Sequence, residues 1–275
     1  MSYRINSALS SMTAARHLSK AQRENEKALA TLASGSRVAN IGDDAAGFAI
    51  SEGLRGQRAG LKQARNNAES AMALMQTAEG GLSEQNNILV RLRELAVYAA
   101  SDTVGDDERE MLDREYQALT EEFDRIARTT TFGRKELLTG SGTEFEFHVG
   151  ANQGPDNIIR FKLESDTTAS EAGISGLSVT DQGDARDALE TLDEGLRVVA
   201  QARSTFGSMQ SRMQFTVDHL GAQEENIERA RSVIADADIA DSVTRLAKSN
   251  MLQDFGTSVL AQANMDYGRA LKLIG

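Results

Sequence analysis

A heptad repeat runs without interruption along the first long segment of this 275-residue chain. Between Gly42 and about Ser101, one row is Leu54, Leu61, Ala68, Met75, Leu82, Leu89 and Ala96, and its companion row is Gln57, Ala64, Ala71, Ala78, Gln85, Leu92 and Ala99. Apolar residues at a 3.5-residue period are typical of a coiled-coil seam, and alanine lets a partner helix approach closely. A helix of this length spans about 90 Å, which predicts an elongated bundle.

A second heptad repeat lies near the other end of the chain. Its main row is Leu192, Val199, Phe206, Met213, Leu220, Ile227 and Ile234, and its companion row, Leu189, Leu196, Arg203, Gln210, Val217, Glu224 and Arg231, mixes apolar with charged residues. Between the repeats, a shorter amphipathic helix is indicated by Leu112, Tyr116, Leu119, Phe123 and Ile126. The patterns predict a mainly α fold, built as a long antiparallel coiled-coil bundle.

The middle of the chain changes to a two-residue period. Phe145, Phe147 and Val149 alternate with polar residues, as do Ile159, Phe161 and Leu163. Gly150–Asn157 between them supplies turn residues, so the segment predicts a small β-hairpin with one buried face. Residues 165–185 are rich in Ser, Thr, Gly and Asp and predict a loop that leads back into helix.

Both ends of the chain predict helices. The N-terminal helix has a polar centre, and the C-terminal helix carries apolar residues on more than one face. A monomer surface cannot cover such residues, so the pattern favours polymerisation. The residues expected at the contact between subunits are Ile5, Leu9, Met12, Leu246, Leu252, Phe255, Val259, Leu260, Leu271 and Ile274.

The stretch SGSRVANIGDDAAGFAIS, residues 34–51, predicts a joint between the first helix and the long helix. Gly35 can end the first helix in a left-handed conformation. Asp43 or Asp44 can accept backbone N–H bonds at the start of the next helix and complement its dipole. We therefore interpret these residues as helix caps.

Composition excludes several classes of function. The net charge of −11 and the pI near 4.9 oppose nucleic-acid binding. The chain has no cysteine, and its three histidines fall on separate predicted elements, so we expect no catalytic, cofactor or metal site. No apolar run of signal-peptide or membrane-spanning length is present, so we expect no membrane insertion. Residues 1–40 are basic, which suits a solvated face, an acidic neighbour or, less well given the acidic remainder, a membrane surface.

Four stretches in order along nearly the whole chain resemble bacterial flagellin. They are LASGSRVANIGDDAAGFAIS (32–51), NNAESAMALMQTAEGGLSEQNNILVRLRELAV (66–97), FHVGAN (147–152) and ADADIADSVTRLAKSNMLQDFGTSVLAQAN (235–264). The chain departs from the family pattern at Phe132-Gly133-Arg134, His148, Val233 and Tyr267, which affects the expected local turn geometry and subunit contacts.

The resemblance implies a structural subunit of the tubular flagellar filament, in a minimal form without the variable outer domains. It implies an N-terminal inner-core helix and joint in 1–42, shell elements in 43–185 and 186–234, and a C-terminal inner-core helix in 235–275, with the terminal helices pairing inside the tube. A hook–filament junction protein is the alternative, since it shares terminal helices and export route.

The resemblance also implies partners and a location. The subunit would be exported through the flagellar type III apparatus, escorted by a chaperone at its C-terminal region, and would fold outside the cell beneath a cap protein, on a filament joined to hook-junction proteins. In flagellins that the vertebrate Toll-like receptor 5 recognises, an Arg and a Leu on the long helix and a Glu on the shorter one make the contact. Arg91, Leu95 and Glu115 match them, although Leu95 could instead serve packing between subunits.

Overall fold

Five α-helices and two short antiparallel hairpins form the regular structure of the described residues. The computed structural model describes residues 9–163 and 165–272, with side chains up to residue 265. The helices are α1 (Leu9–Ser34), α2 (Ala45–Ala99), α3 (Asp106–Thr129), α4 (Gln182–Ala235) and α5 (Ile239–Lys272). The strands are β1 (Thr131–Phe132), β2 (Lys135–Glu136), β3 (Glu144–His148) and β4 (Ile158–Lys162). The predicted mainly α fold with a small hairpin is confirmed.

The chain divides into two compact units. The terminal unit consists of residues up to Gln57 together with those from Asn226 onward, and the central unit consists of Arg58–Glu225. Both unit boundaries fall inside the long helices α2 and α4.

The central unit is organised around the heptad rows of α2. Both predicted rows are buried from Leu61 to Ala99, including Gln85. The main row of α4 is buried from Leu192 to Leu220, while its predicted companion row is half-buried, as its charged residues led us to expect. A deeper row of small residues lies one position earlier, formed by Ala188, Gly195 and Ala202. A Cβ at Gly195 would lie 3.5 Å from Leu89 Cδ2, so this row lets the helices approach closely.

Three ion pairs join α2 to α4 and define their direction. Arg65 Nη1 lies 3.2 Å from Glu224, Arg203 Nη2 lies 2.7 Å from Glu79, and Arg93 Nε lies 2.8 Å from Asp193. Residue numbers rise along α2 as they fall along α4. The two long helices are therefore antiparallel.

The loop after β4 is held against α3 by polar side chains of that helix. Asp113 Oδ1 accepts the Val179 N–H at 2.9 Å, and Gln117 Nε2 donates to Leu177 O at 2.8 Å. Gln85 of α2 also donates to the loop, to Thr167 O at 2.9 Å. The loop closes the core with buried Ala169, Ala172, Ile174 and Val179.

The predicted hairpin is formed by β3 and β4, paired from Glu144↔Lys162 to His148↔Ile158. Phe145, Ile159 and Phe161 are buried, and the Phe161 ring lies 5.3 Å from that of Phe206 on α4. The hairpin of β1 and β2 was not predicted. It turns at Gly133, whose φ of +65° favours glycine.

Arg109 closes the C-terminal end of α2. Its Nε donates to Ala99 O at 2.9 Å and its Nη2 to Ser101 O at 3.1 Å, while Nη1 lies 2.8 Å from Asp106. The guanidinium is buried. It satisfies carbonyl groups that the end of a helix leaves without partners, and its charge complements the helix dipole there.

We expect Arg109→Ala to lower the free energy of unfolding by about 2 kcal/mol, because one buried and one partly buried carbonyl group lose a charged donor. Urea unfolding followed by circular dichroism measures the change. The control is Arg114→Ala, which removes an exposed ion pair within α3 and should have little effect. Equal effects of the two substitutions would contradict the capping role.

The burial of Tyr116 predicts that the free energy of unfolding falls at alkaline pH. Its side chain is fully buried, its hydroxyl has no hydrogen-bond partner among the described residues, and burial, with a smaller contribution from Asp113, raises its pKa to about 12. The unfolded chain loses this proton near pH 10, so the stabilisation is complete below pH 10 and is lost as the pH rises towards 12. From pH 8 to pH 11, we expect the wild type to lose about 1.4 kcal/mol more than Tyr116→Phe.

The same urea titrations at pH 8 and pH 11 test this expectation. Tyr98→Phe is the matched control, because Tyr98 is exposed on α2. An identical pH dependence for wild type and Tyr116→Phe would show that the buried hydroxyl ionises normally.

Candidate assembly interface

In the terminal unit, α1 and α5 pack as an antiparallel pair. Asn25 Nδ2 donates to Ser249 Oγ at 3.2 Å, and Gln253 Nε2 donates to Ala21 O at 3.4 Å. A Cβ at Gly256 would lie 3.2 Å from Leu18 Cδ1. As residue numbers fall along α1, the numbers of their contacts on α5 rise, so the two helices are antiparallel.

The seam between these helices is built mainly of small and polar residues. On α1 it comprises Ser11, Ala14, Leu18, Ala21, Asn25, Ala28 and Leu32, and on α5 it comprises Ser242, Leu246, Ser249, Gln253, Gly256, Leu260 and Ala263, all buried or half-buried. The antiparallel alignment places each leucine level with an alanine, serine or glycine. The polar stretch from His17 to Lys27 concealed this seam, although its three-and-four spacing is present in the sequence.

The large apolar side chains of the pair lie outside the seam and are exposed. We call this set the assembly surface: Leu9, Met12, Leu29, Ile239, Val243, Met251, Leu252, Phe255, Val259 and Met265. Phe255 alone is 69% exposed. So many exposed apolar side chains on one helix pair mark a surface that another molecule covers.

The structure divides the residues that the sequence assigned to subunit contacts. Leu9, Met12, Leu252, Phe255 and Val259 belong to the assembly surface. Leu246 and Leu260 instead lie half-buried in the seam within the chain, because the three-and-four spacing turns them towards α1. Ile5, Ile274 and the side chain of Leu271 lie outside the described residues.

A groove of about 460 Å³ opens along the same helix pair. Leu18, Ala21 and Gly256 contribute apolar lining. Its charged lining is mostly basic, from Lys20, Arg245 and Lys248, with Glu24 as the acidic member. Arg245 Nη2 lies 2.6 Å from Asp241 on its own helix. The groove therefore adds a basic character to the outside of the pair.

The joint between α1 and α2 is capped on both sides. Gly35 has a φ of +68°, and its N–H donates to Thr31 O at 2.9 Å. Asp44 Oδ1 accepts the Gly47 N–H at 2.8 Å, and this hydrogen bond holds the pKa of Asp44 below its usual range. Asp43 makes a different contact, with Lys27 Nζ at 2.7 Å, and this hydrogen bond raises the pKa of Lys27.

Arg37 links this joint to the joint between α4 and α5, a role that the sequence did not indicate. Its backbone N–H donates to Ala235 O at 2.7 Å and its Nε to Ile234 O at 2.8 Å. Its Nη2 lies 3.1 Å from Asp44. One guanidinium thus contacts the C-terminal end of α4 and the capping residue of α2. At the start of α5, Asp238 Oδ1 accepts the Ala240 N–H at 2.8 Å.

The residues assigned to receptor contact lie in the central unit and differ in exposure. Arg91 Nε and Nη2 donate to Glu115 Oε1 at 3.0 and 2.8 Å, and this hydrogen bonding, with that to Glu94, raises the pKa of Arg91. Arg91 and Glu115 are exposed. Leu95 is only 3% exposed and packs in the core, since it faces inward from α2. The structure therefore brings Arg91 and Glu115 together at the surface without Leu95.

Within the described residues, no group of three or more His, Asp or Glu side chains is arranged to hold a metal ion. None of the helices described there combines the length and apolarity that crossing a membrane requires.

Comparison with known proteins identifies the architecture. The profile of the bacterial flagellin N-terminal helical region matches residues 5–143, and that of the C-terminal helical region matches residues 189–274. A flagellin of Halalkalibacterium halodurans is 37% identical over 271 residues, covering 98% of this chain and 99% of the relative. A flagellin of Bacillus subtilis is 33% identical over 303 aligned residues, with 98% and 99% covered.

Among solved structures, Bacillus cereus flagellin aligns with a TM-score of 0.51 and 27% identity, covering 60% of this chain and 94% of that one. A Vibrio parahaemolyticus protein assigned to the hook-associated class aligns with a TM-score of 0.59 and 12% identity, covering 70% and 99%, which shows a shared fold alone. Both helical regions of the family are matched, and relatives align over nearly their full length. The chain belongs to the bacterial flagellin family.

Proposed function

We propose that this chain is a structural subunit that polymerises into the helical tubular filament of the bacterial flagellum, with its assembly surface buried between subunits. The observation that carries the proposal is the contrast between the small-residue seam of α1 and α5 and the large apolar residues outside it. A monomer exposes this surface to water, and neighbouring copies remove it from water. A contact that does not close on itself then repeats to give a filament.

The energetics support a strong drive to polymerise. Full burial of a Leu, Val, Phe or Met side chain contributes about 1.5–3 kcal/mol. The assembly surface holds ten Leu, Ile, Val, Phe or Met side chains in each subunit. Even partial burial of this set offsets the entropy lost when a subunit docks. Because the seam itself buries mainly small side chains, we infer that the α1–α5 pair gains much of its stability on docking.

Flagellin family membership supports a location in the exported, extracellular filament. We propose that the subunit leaves the cell through the flagellar type III apparatus and folds at the filament tip beneath a cap protein. A chaperone would have to cover the apolar residues of α5 before export, and Leu252, Phe255 and Val259 are its expected contacts. Hook-junction proteins are the expected neighbours at the base of the filament.

A hook–filament junction protein is the second reading, and it is less well supported. The hook-associated neighbour is similar in fold alone, at 12% identity. The flagellins of Halalkalibacterium halodurans and Bacillus subtilis align over nearly their full length at 37% and 33% identity. A junction protein would bind filament ends without adding further copies of itself, which separates the two readings experimentally.

We also propose that Toll-like receptor 5 recognises the central unit through Arg91 and Glu115. Their exposed ion pair joins α2 to α3 and offers both a cation and a carboxylate at one surface. Leu95 is 3% exposed and would support α2 beneath these residues. Such a contact requires the central unit of a free subunit rather than the assembly surface.

Phe255 provides the test of the filament proposal. We expect Phe255→Gln to slow the elongation of filament seeds at least tenfold, because a polar side chain would be buried at every repeat of the contact. The monomer should keep its helix content, since Phe255 is exposed there. Electron microscopy and light scattering of seeded reactions measure elongation.

The matched control is Phe255→Leu, which keeps an apolar side chain and should elongate seeds at nearly the wild-type rate. Loss of elongation in both variants would point to a structural role of the aromatic ring. Wild-type protein that binds seed ends but never lengthens them would favour the junction reading.

For the receptor proposal, we expect Arg91→Ala and Glu115→Ala each to weaken activation of Toll-like receptor 5 in reporter cells at least tenfold. The control is Arg125→Ala, which breaks an exposed ion pair with Glu122 elsewhere on α3. Circular dichroism confirms that the variants fold. Activation unchanged in both test variants would exclude this surface as the contact.

A further inference from the structure

Exposed methionines are concentrated on the assembly surface. Met12 is 62% exposed, Met251 is 61% exposed and Met265 is 56% exposed, and all three lie on α1 or α5. The fourth exposed methionine among the described residues, Met111, is 66% exposed and lies on α3 in the central unit. The other described methionines are buried or half-buried: Met72, Met75, Met209 and Met213.

The composition of the chain directs oxidants to these side chains. Sulfur is present only as methionine, since the sequence contains nine Met and no Cys. It also contains no Trp. No thiol competes for a peroxide, and exposed thioethers react before buried ones.

We propose that peroxide oxidation of Met12, Met251 and Met265 blocks addition of the subunit to a filament, an inference that rests on the proposed assembly function. A sulfur lone pair attacks one peroxide oxygen, and the S–O bond forms as the O–O bond breaks. The departing hydroxide takes up the proton that the transferred oxygen releases, and water leaves. The thioether is oxidised by two electrons to the sulfoxide, and the peroxide is reduced to water.

Because of the position of these residues, their oxidation affects docking and not folding. Met251 lies one helical turn before Phe255, and Met12 lies one turn after Leu9, so each sulfur neighbours an apolar residue of the assembly surface. In the free subunit a sulfoxide oxygen is hydrated. In a contact made of apolar side chains it would be a strong hydrogen-bond acceptor without a donor. Oxidation therefore penalises docking and leaves folding of the subunit nearly unchanged.

The reaction is reversible by chemistry of a known class. Methionine sulfoxide reductases return both sulfoxide epimers to the thioether. Subunits inactivated by peroxide would regain their ability to assemble after reduction. The three methionines thus form a redox-sensitive modification site on the surface that carries polymerisation.

The test uses the full-length subunit, treated with hydrogen peroxide and then freed of it, with sulfoxides located by peptide mass spectrometry. Seeded elongation is compared for wild type, for Met12→Leu/Met251→Leu/Met265→Leu and for Met111→Leu. Leucine keeps the apolar character and approximate volume of methionine. We expect oxidation to slow wild type and Met111→Leu at least tenfold and the triple variant less than twofold, and reductase treatment to restore the wild-type rate.

Untreated wild-type protein is the first control. If it does not elongate seeds, the proposed function fails, whereas the oxidation inference is judged only on protein that does. Oxidised wild type that elongates normally, or a triple variant slowed as much as oxidised wild type, would overturn the inference. If the untreated triple variant elongates poorly, the three single Met→Leu variants replace it. The inference would be overturned equally if, after oxidation, no single variant elongates faster than oxidised wild type.

Discussion

Close packing of small residues between α1 and α5 is the constraint on which the terminal unit depends. Ala21, Ala28 and Gly256 bring the helices together but remove little apolar area from water. The larger side chains cannot enter so narrow a seam and therefore remain outside. The small residues that close the pair leave Leu252 and Phe255 exposed, so the weak burial within the pair and the proposed assembly have one physical origin.

In the terminal unit, where burial of apolar area contributes little, hydrogen bonds at the ends of the helices stabilise the structure. Asp44 and Asp238 accept N–H groups at the starts of α2 and α5, and Gly35 closes α1 in a left-handed conformation. Arg37 donates to carbonyls at the end of α4 and also contacts Asp44. In the central unit, large apolar residues such as Phe206 are buried in the core.

Heptad periodicity made the central unit predictable, whereas the seam of the terminal unit escaped sequence reasoning. In the row that contains Leu82 and Leu89, the heptad period and the hydrophobicity of the residues indicate the same buried face. On α1 the period is carried by Ala, Ser and Asn, whose hydropathy does not separate them from a solvated face. Leu246 and Leu260 were consequently assigned to contacts between subunits, since sequence alone does not specify which face a neighbouring helix covers.

Small-residue packing closes the α1–α5 pair but does not by itself determine its register. A slide of one heptad would place Leu18 level with Ala263 or Ser249 instead of Gly256, and each of these residues is also small. Polar contacts distinguish the alternatives, since the bonds from Asn25 to Ser249 and from Gln253 to Ala21 exist in one alignment only. The backbone bonds of Arg37 and Ala237 at the joints add a fixed end point. Partly buried polar groups therefore supply the specificity that alanine and glycine lack, and they hold the assembly surface in one arrangement.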